Sequence, residues 1–313
     1  MSAPAAPLRI ATRQSRLALW QAQHVAGKLR AAHPGLPVEL VPMTTQGDRI
    51  VDRSLAQVGG KGLFIKELEI AISEGRADIA VHSMKDVPSD MPPGMTLAAM
   101  LPRADPHDAF VSLRYDNFGV LPQGARVGTS SLRRQCQLKY ARPDLQLLTL
   151  RGNVETRLRK LDEGQYDAIV LAAAGLIRLG LEDRITQRFD LEQFVPAVGQ
   201  GIIGIECRED DARSIELVRA LNDVLALQCC ETERAFALRL QGSCQSPIAA
   251  YAQISGGEVQ LRGVIGSPDG QEIYRGVHSG AVADLQTVGI ALADRLLDAG
   301  ARPLLEKLRL AQP

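Results

Sequence analysis

The sequence predicts an α/β protein that ends in a small α+β domain. Three observations carry that expectation. At 313 residues the chain is two or three times an ordinary domain, so it builds two or three cores. Its first two-thirds alternate short apolar runs with helix-like segments, the rhythm of a mostly parallel sheet. Past about residue 220 the apolar residues recur at every second position instead, which marks antiparallel strands.

Taken in order, residues 8–12 read as a strand, and Ser15 caps a helix through L-A-L-W-Q-A-Q-H-V-A. After a strand at 38–44, the glycines of V-G-G-K-G-L-F (58–64) open a helix over 63–73. Residues 78–82 form a strand, followed by a loop with Pro88, Pro92 and Pro93. L-P-R-A-D-P-H (101–107) reads as a linker. The rhythm resumes with strands at 126–129, 146–150 and 168–171 and helices at 131–140 and 154–163. V-P-A-V-G-Q-G (195–201) is a second linker, and a helix covers 231–240. Strands at 248–254, 258–265 and 272–278 follow, divided by the turn signals S-G-G and S-P-D-G. A helix over 284–297 comes next.

A hydrophobic fraction of 45% and a charged fraction of 23% exclude a disordered or fibrous chain. Lys+Arg and Asp+Glu number 36 each, so nothing in the total points to nucleic acid or an anionic membrane. The basic side is 29 Arg to 7 Lys. Either base composition or a need for planar bidentate donors accounts for that ratio. The start has no basic region followed by a long apolar one, so no signal peptide is expected. The longest strongly apolar stretch, residues 168–177, is too short to span a membrane. Five cysteines, with no C-x-x-C and no His–Cys ligand spacing, predict neither a disulfide framework nor a metal site. A cytoplasmic location is the expectation.

Ligands of open parallel sheets bind beyond the carboxyl ends of the strands. Beyond those ends stand Arg13 and Ser15; Ser83, Lys85 and Asp86; Thr129, Ser130, Ser131, Arg133 and Arg134; Arg151 and Arg157; and Arg178. Residues 126–160 hold nine Lys/Arg against two acids, a local charge of +7. A solvated basic face would explain this. So would an anionic ligand, which the hydroxyls and helix-start N–H groups of G-T-S-S-L-R-R (128–134) favour.

Asp86 is the acid among these bases. It is either an ion-pair partner for Lys85 or a nearby Arg, or a group that donates a proton to a leaving group and stabilises a developing cation. Cys136 and Cys207 lie in apolar surroundings, and Cys229 and Cys230 in a helical stretch, where buried inert thiols are expected. Cys244, in the small-residue loop Q-G-S-C-Q-S-P (241–247), is either an incidental exposed thiol or a functional one.

Seven segments together resemble the porphobilinogen deaminase family: R-Q-S-R-L-A-L-W-Q (13–21), V-G-G-K-G-L-F-I-K-E-L-E (58–69), V-H-S-M-K-D-V-P (81–88), G-T-S-S-L-R-R (128–134), L-R-G-N-V-E-T-R-L (150–158), V-G-Q-G (198–201) and G-S-C-Q-S-P-I (242–248). The resemblance runs in order along the whole chain. It implies two α/β lobes like those of type II periplasmic binding proteins plus a small C-terminal α+β domain. The lobes would be residues 1–101 with 201–219, and 107–195; the third domain would be 224–313. The implied activity is that of a transferase of tetrapyrrole biosynthesis. It condenses four porphobilinogens, with loss of ammonia, into hydroxymethylbilane on a dipyrromethane cofactor.

On the same resemblance Cys244 carries that cofactor through a thioether and Asp86 is the catalytic carboxylate. Ser83, Lys85, Thr129, Ser131, Arg133 and Arg134 hold the cofactor. Arg13, Ser15, Arg151, Arg157 and Arg178 bind substrate carboxylates, and Gln21, Lys61 and Phe64 line the cleft. The family expectation is a monomer; whether its product passes directly to the next tetrapyrrole enzyme stays open on the sequence. Two residues depart from the family pattern: Gln57 replaces a Lys, and Ser243 stands where Gly is usual. Two other readings stay open on the residues alone. One is a non-catalytic anion-binding protein on the same scaffold; the other is a cysteine-nucleophile transferase without a pyrrole cofactor.

Overall fold

Apolar runs at 8–12 and 78–82 become the centre of a five-stranded sheet in the first of two units. The computed structural model describes residues 6–49, 62–242 and 246–310. The first unit takes the described residues of 1–50, 62–104 and 202–227, and the second those of 105–201 and 228–313.

In the first unit β1 (Leu8–Arg13) pairs in parallel with β2 (Val38–Met43) and β3 (Ile79–Ser83). β10 (Ile203–Arg208) runs antiparallel between β3 and β4 (Met95–Met100), giving the order β2-β1-β3-β10-β4. Helix α1 (Arg16–Ala32) covers one face; its Ala22, Val25 and Leu29 pack with Leu8, Ile10, Ile79 and Val81. Beyond the short α2 (Gln46–Arg49), α3 (Lys66–Ser73) covers the other face, with Leu68, Ala71 and Ile72 against Ala11 and Ala80. Each fully buried Leu or Ile contributes about 1.5–3 kcal/mol. Helix α7 (Ala212–Arg219) adds Ile215 and Val218 to the α1 side.

This sheet is mixed, where the alternating rhythm predicts a mostly parallel one. β4 and β10 go unseen because that rhythm registers only strands with a helix between them. β10 comes from far along the chain and lies between β3 and β4. The helix expected over 63–73 begins at Lys66, after a turn closed by Ile65 N donating to the Gly62 carbonyl at 2.9 Å.

The second unit holds another five-stranded sheet, ordered β7 (Gln146–Leu148), β6 (Arg126–Gly128), β8 (Ala168–Ala172), β5 (Asp108–Val111) and β9 (Gln187–Arg188). β6 is parallel to β7 and β8; β5 is antiparallel to β8 and β9. One face carries Phe110, Phe118, Phe189 and Phe194, with Leu138 of α4 (Leu132–Ala141). The other lies under α5 (Val154–Asp162) and α6 (Ala173–Arg178) through Leu158, Leu161 and Leu176.

The period-two segments form an antiparallel meander, β11 (Ile248–Ser255), β12 (Glu258–Gly266) and β13 (Ile273–Ala281). Phe236 of α8 (Val224–Arg239), Leu292 and Leu296 of α9 (Leu285–Leu296) and Leu305 of α10 (Arg302–Leu310) pack on Leu261 and Ile265. The buried Glu233 accepts Ala252 N at 2.8 Å and Gly199 N at 2.7 Å. Among the described residues no helix is long and apolar enough to cross a membrane.

Candidate functional site

Six of the sequence-derived candidates line one open pocket in the first unit: Arg13, Ser15, Gln21, Phe64, Ser83 and Asp86. Strand ends and helix starts place them. Arg13 closes β1. Ser15 caps α1, its hydroxyl oxygen accepting from Ala18 N at 3.4 Å. Gln21, buried in α1, donates from Nε2 to Ser83 Oγ at 2.8 Å and so fixes the end of β3.

The Arg13 guanidinium lies 4.2 Å above the Phe64 ring centre, a cation–π contact, and pairs with Asp48 through Nε and Nη2. Burial alone would raise the Asp48 carboxyl. Arg13 and the Thr45 hydroxyl, 2.8 Å away, outweigh it and hold the group below its ordinary value. Asp48 therefore faces Arg13 ionised, a partner that the sequence pattern does not reveal.

Past β3 the chain makes one 3-10 turn, Met84–Asp86. Met84 N donates to the Ile202 carbonyl at 3.0 Å, and Val87 N to the Met84 carbonyl at 3.1 Å. The Met84 side chain fills the space over Gly204 of β10. A Cβ at Gly204 would stand 2.2 Å from Met84 Sδ, so only glycine admits this approach. Asp86 makes no side-chain hydrogen bond or ion pair to another described residue. It lines the pocket from a turn held by backbone hydrogen bonds. Lys85 sits on the same turn, half-buried.

The remaining candidates belong to the second unit. Thr129 and Ser131 stand between β6 and α4; Ser131 N donates to Thr129 Oγ1 at 3.3 Å. Arg133 and Arg134 turn inward to the buried Asp108 of β5. Arg133 Nη1 donates to Oδ2 at 2.6 Å, and Arg134 Nη2 to Oδ1 at 2.8 Å. Both guanidinium groups also reach main-chain carbonyls, of Val195 and Val170. Burial raises the Asp108 carboxyl, but the two arginines prevail and hold it far below the usual carboxylate range.

The +7 counted over residues 126–160 is thus partly neutralised from outside that window. Asp108 faces Arg133 and Arg134, Asp167 faces Arg126, and Glu163 lies near Arg159. A linear count misses acids that the fold delivers. Arg151 and Arg178 are lowered by burial, Arg178 to about 10. Arg178 Nη2 donates to the Gly201 carbonyl at 2.7 Å. Gly152, at φ +111°, turns the chain into α5, where Asn153 caps the helix. The Gly152 carbonyl accepts Arg157 Nε at 2.8 Å. Lys61 and Cys244, with Gln57 and Ser243, lie outside the described residues. The other four cysteines are buried; burial pushes the Cys136 thiol up to about 12 and that of Cys207 to about 11. Among the described residues no cluster of three or more His, Cys, Asp or Glu is arranged to hold a metal.

Family models decide what this arrangement serves. Residues 8–216 match the porphobilinogen deaminase dipyrromethane cofactor binding domain, and residues 227–298 the porphobilinogen deaminase C-terminal domain. The chain belongs to the porphobilinogen deaminase family. It is a transferase, a hydroxymethylbilane synthase that joins four porphobilinogens on a dipyrromethane cofactor. The non-catalytic anion-binding reading is not favoured.

Solved structures similar to this chain include the methionine-binding protein MetQ (17% identity, covering 72% of this chain and 94% of that one, TM-score 0.46). A nutrient-binding protein from Burkholderia cenocepacia bound to methionine matches at 14%, 75%, 96% and 0.45. An ABC transporter periplasmic substrate-binding protein from Coxiella burnetii matches at 15%, 72%, 96% and 0.44. Likeness at this level says nothing of the ligand. The donor set does suit a dipyrromethane with its acetate and propionate groups. The Thr129 and Ser131 hydroxyls offer donors to such carboxylates, and Arg133 and Arg134 stand in the first turn of the adjoining α4.

Proposed function

We propose that Asp86 is the carboxylate beside which each porphobilinogen loses its amino group. What supports this is its position: an acid without a described side-chain partner, in a pocket that also holds Arg13, Ser15 and Ser83. Asp86 assists departure of the amine and then stabilises the positive charge left on the substrate's pyrrole, as an ionised carboxylate does where water is scarce. Arg13, Ser15, Arg151, Arg157 and Arg178 hold substrate acetate and propionate groups. Gln21, Lys61 and Phe64 shape the site around them.

The dipyrromethane, attached at Cys244, supplies the pyrrole carbon to which the first substrate joins. Lys85, Ser83, Thr129 and Ser131 bind its carboxylates, with Arg133 and Arg134 contributing what Asp108 leaves of their charge. The chain works as a cytoplasmic monomer of three domains, 1–101 with 201–219, 107–195 and 224–313, and passes its product to the next enzyme.

Intact mass tests the attachment: the purified protein carries an increment of two pyrrole units, absent in Cys244→Ser. Asp86→Asn keeps that increment and loses about 10²- to 10⁴-fold in kcat. An unmodified active protein refutes the cofactor assignment, and near-normal kcat in Asp86→Asn refutes the carboxylate.

A further inference from the structure

We propose that His82 and Glu206 form a buried positioning pair that aims Asp86, an inference that rests on the role given to Asp86 above. Since no described side chain steers Asp86, its direction is inherited from the backbone of residues 83–86 and from whatever holds the strand that delivers it. His82 is the penultimate residue of β3, four residues before Asp86, and lines the same pocket. Its Nε2 lies 2.7 Å from Glu206 Oε2 on β10, with His82 5% and Glu206 0% exposed. In the β3–β10 ladder Gly204 stands opposite His82 and Glu206 opposite Ala80, so the bond crosses diagonally between the strands. Beside it, Met84 seats over Gly204. One row of β10, Gly204 and Glu206, thus grips both ends of the segment leading into the turn.

Stability alone does not call for such a pair. Burying a carboxylate costs several kcal/mol, and well-packed apolar side chains serve as well or better at a site that need only be stable. Glu206 Oε1, moreover, is buried with no hydrogen-bond partner among the described residues. A directional bond does what apolar packing does not: it fixes the His82 rotamer and the relative slide of β3 and β10 to within a fraction of an ångström. Reaction geometry demands that tolerance, since a misplacement of about 1 Å costs about 10²-fold in rate. Asp86, lacking side-chain support of its own, is the group that needs it.

A double-mutant cycle in the holoenzyme tests the pair. His82→Leu lowers kcat about 10- to 100-fold, with KM within about twofold of the parent and the dipyrromethane mass increment retained. His82→Gln, whose amide can still donate to Glu206, recovers most of that loss. In an Asp86→Asn background, single-turnover rates show no further loss from His82→Leu, because no carboxylate remains to be aimed. An additive loss in that background, a loss carried by KM, or no loss in the single variant overturns the proposal. If His82→Leu does not fold, His82→Asn, too short to reach Glu206, takes its place in the cycle. Retained kcat in Asp86→Asn alone refutes the Asp86 assignment instead, a failure visible before the cycle begins.

Discussion

Asp108→Asn removes one charge from the centre of the second unit while leaving the shape of the side chain intact. In the parent, Oδ2 accepts Arg133 Nη1 at 2.6 Å. Oδ1 accepts Arg133 Nη2 at 3.1 Å, Arg134 Nε at 3.0 Å and Nη2 at 2.8 Å, and Gln200 Nε2 at 3.1 Å. The carboxylate is 2% exposed, and the guanidinium groups it serves are 4% and 7% exposed. Asparagine keeps one acceptor, turns the other oxygen into a donor facing a donor, and leaves two buried cations uncompensated. Breaking a buried pair in this way costs about 3–5 kcal/mol. At roughly 2–4 °C per kcal/mol for a unit of this size, the melting transition falls by about 6–20 °C.

Calorimetry and far-ultraviolet circular dichroism read that change. Trp20, the single tryptophan, belongs to the first unit, so its fluorescence follows that unit separately. The pH dependence has a definite sign. Because the folded Asp108 carboxyl lies far below its ordinary value, its contribution is fully present above the unfolded value of about 3.9 and is lost only as pH falls through the folded one. The gap between parent and variant therefore stays constant from about pH 5 to 8 and closes only in strong acid. A loss under about 1 kcal/mol, the range of a solvent-exposed pair, refutes the view that Arg133 and Arg134 depend on Asp108.

Two further outcomes follow from geometry. Arg178→Lys keeps a charge but loses the planar fork, and kcat/KM falls about 10- to 100-fold. Burial pushes the introduced lysine down as it does Arg178, so the variant also loses activity at lower pH than the parent as pH rises; a superimposable alkaline limb counts against Arg178 binding a carboxylate. Gly204→Ala drives Met84 off its seat, costing about 1–3 kcal/mol and lowering kcat more than it raises KM. An unchanged melting temperature by calorimetry shows instead that Met84 moves freely.

What could be read in advance was local. Asp86 and Ser15 are legible because a strand end followed by a turn, or a serine before an apolar helix, is written in adjacent residues. Gln21 and Ser83 came from the resemblance and from the strand-end list, but the hydrogen bond joining them did not, since 62 positions separate them. Asp108 escaped altogether. It directly follows a Pro-rich passage that reads as linker, 25 residues from Arg133, and nothing in its neighbours announces a buried anion. The same holds for Asp48 beside Arg13 and for Glu206, which reaches His82 only because a late strand inserts antiparallel into an early sheet. Charge counts over a window fail for that reason. The fold, not the chain order, decides which acid answers which base.

The four described thiols have a consequence for the fidelity of cofactor loading. Cys136, Cys207, Cys229 and Cys230 are all shut inside their cores, and for Cys136 and Cys207 the nucleophilic thiolate is scarce at neutral pH. An electrophilic pyrrole approaching this chain meets closed doors at those four positions. On the attachment proposed above, selective loading at Cys244 needs no exceptional reactivity there. It follows from the silence of the other cysteines, and a substitution that loosens a core around one of them would create a second, illegitimate priming site.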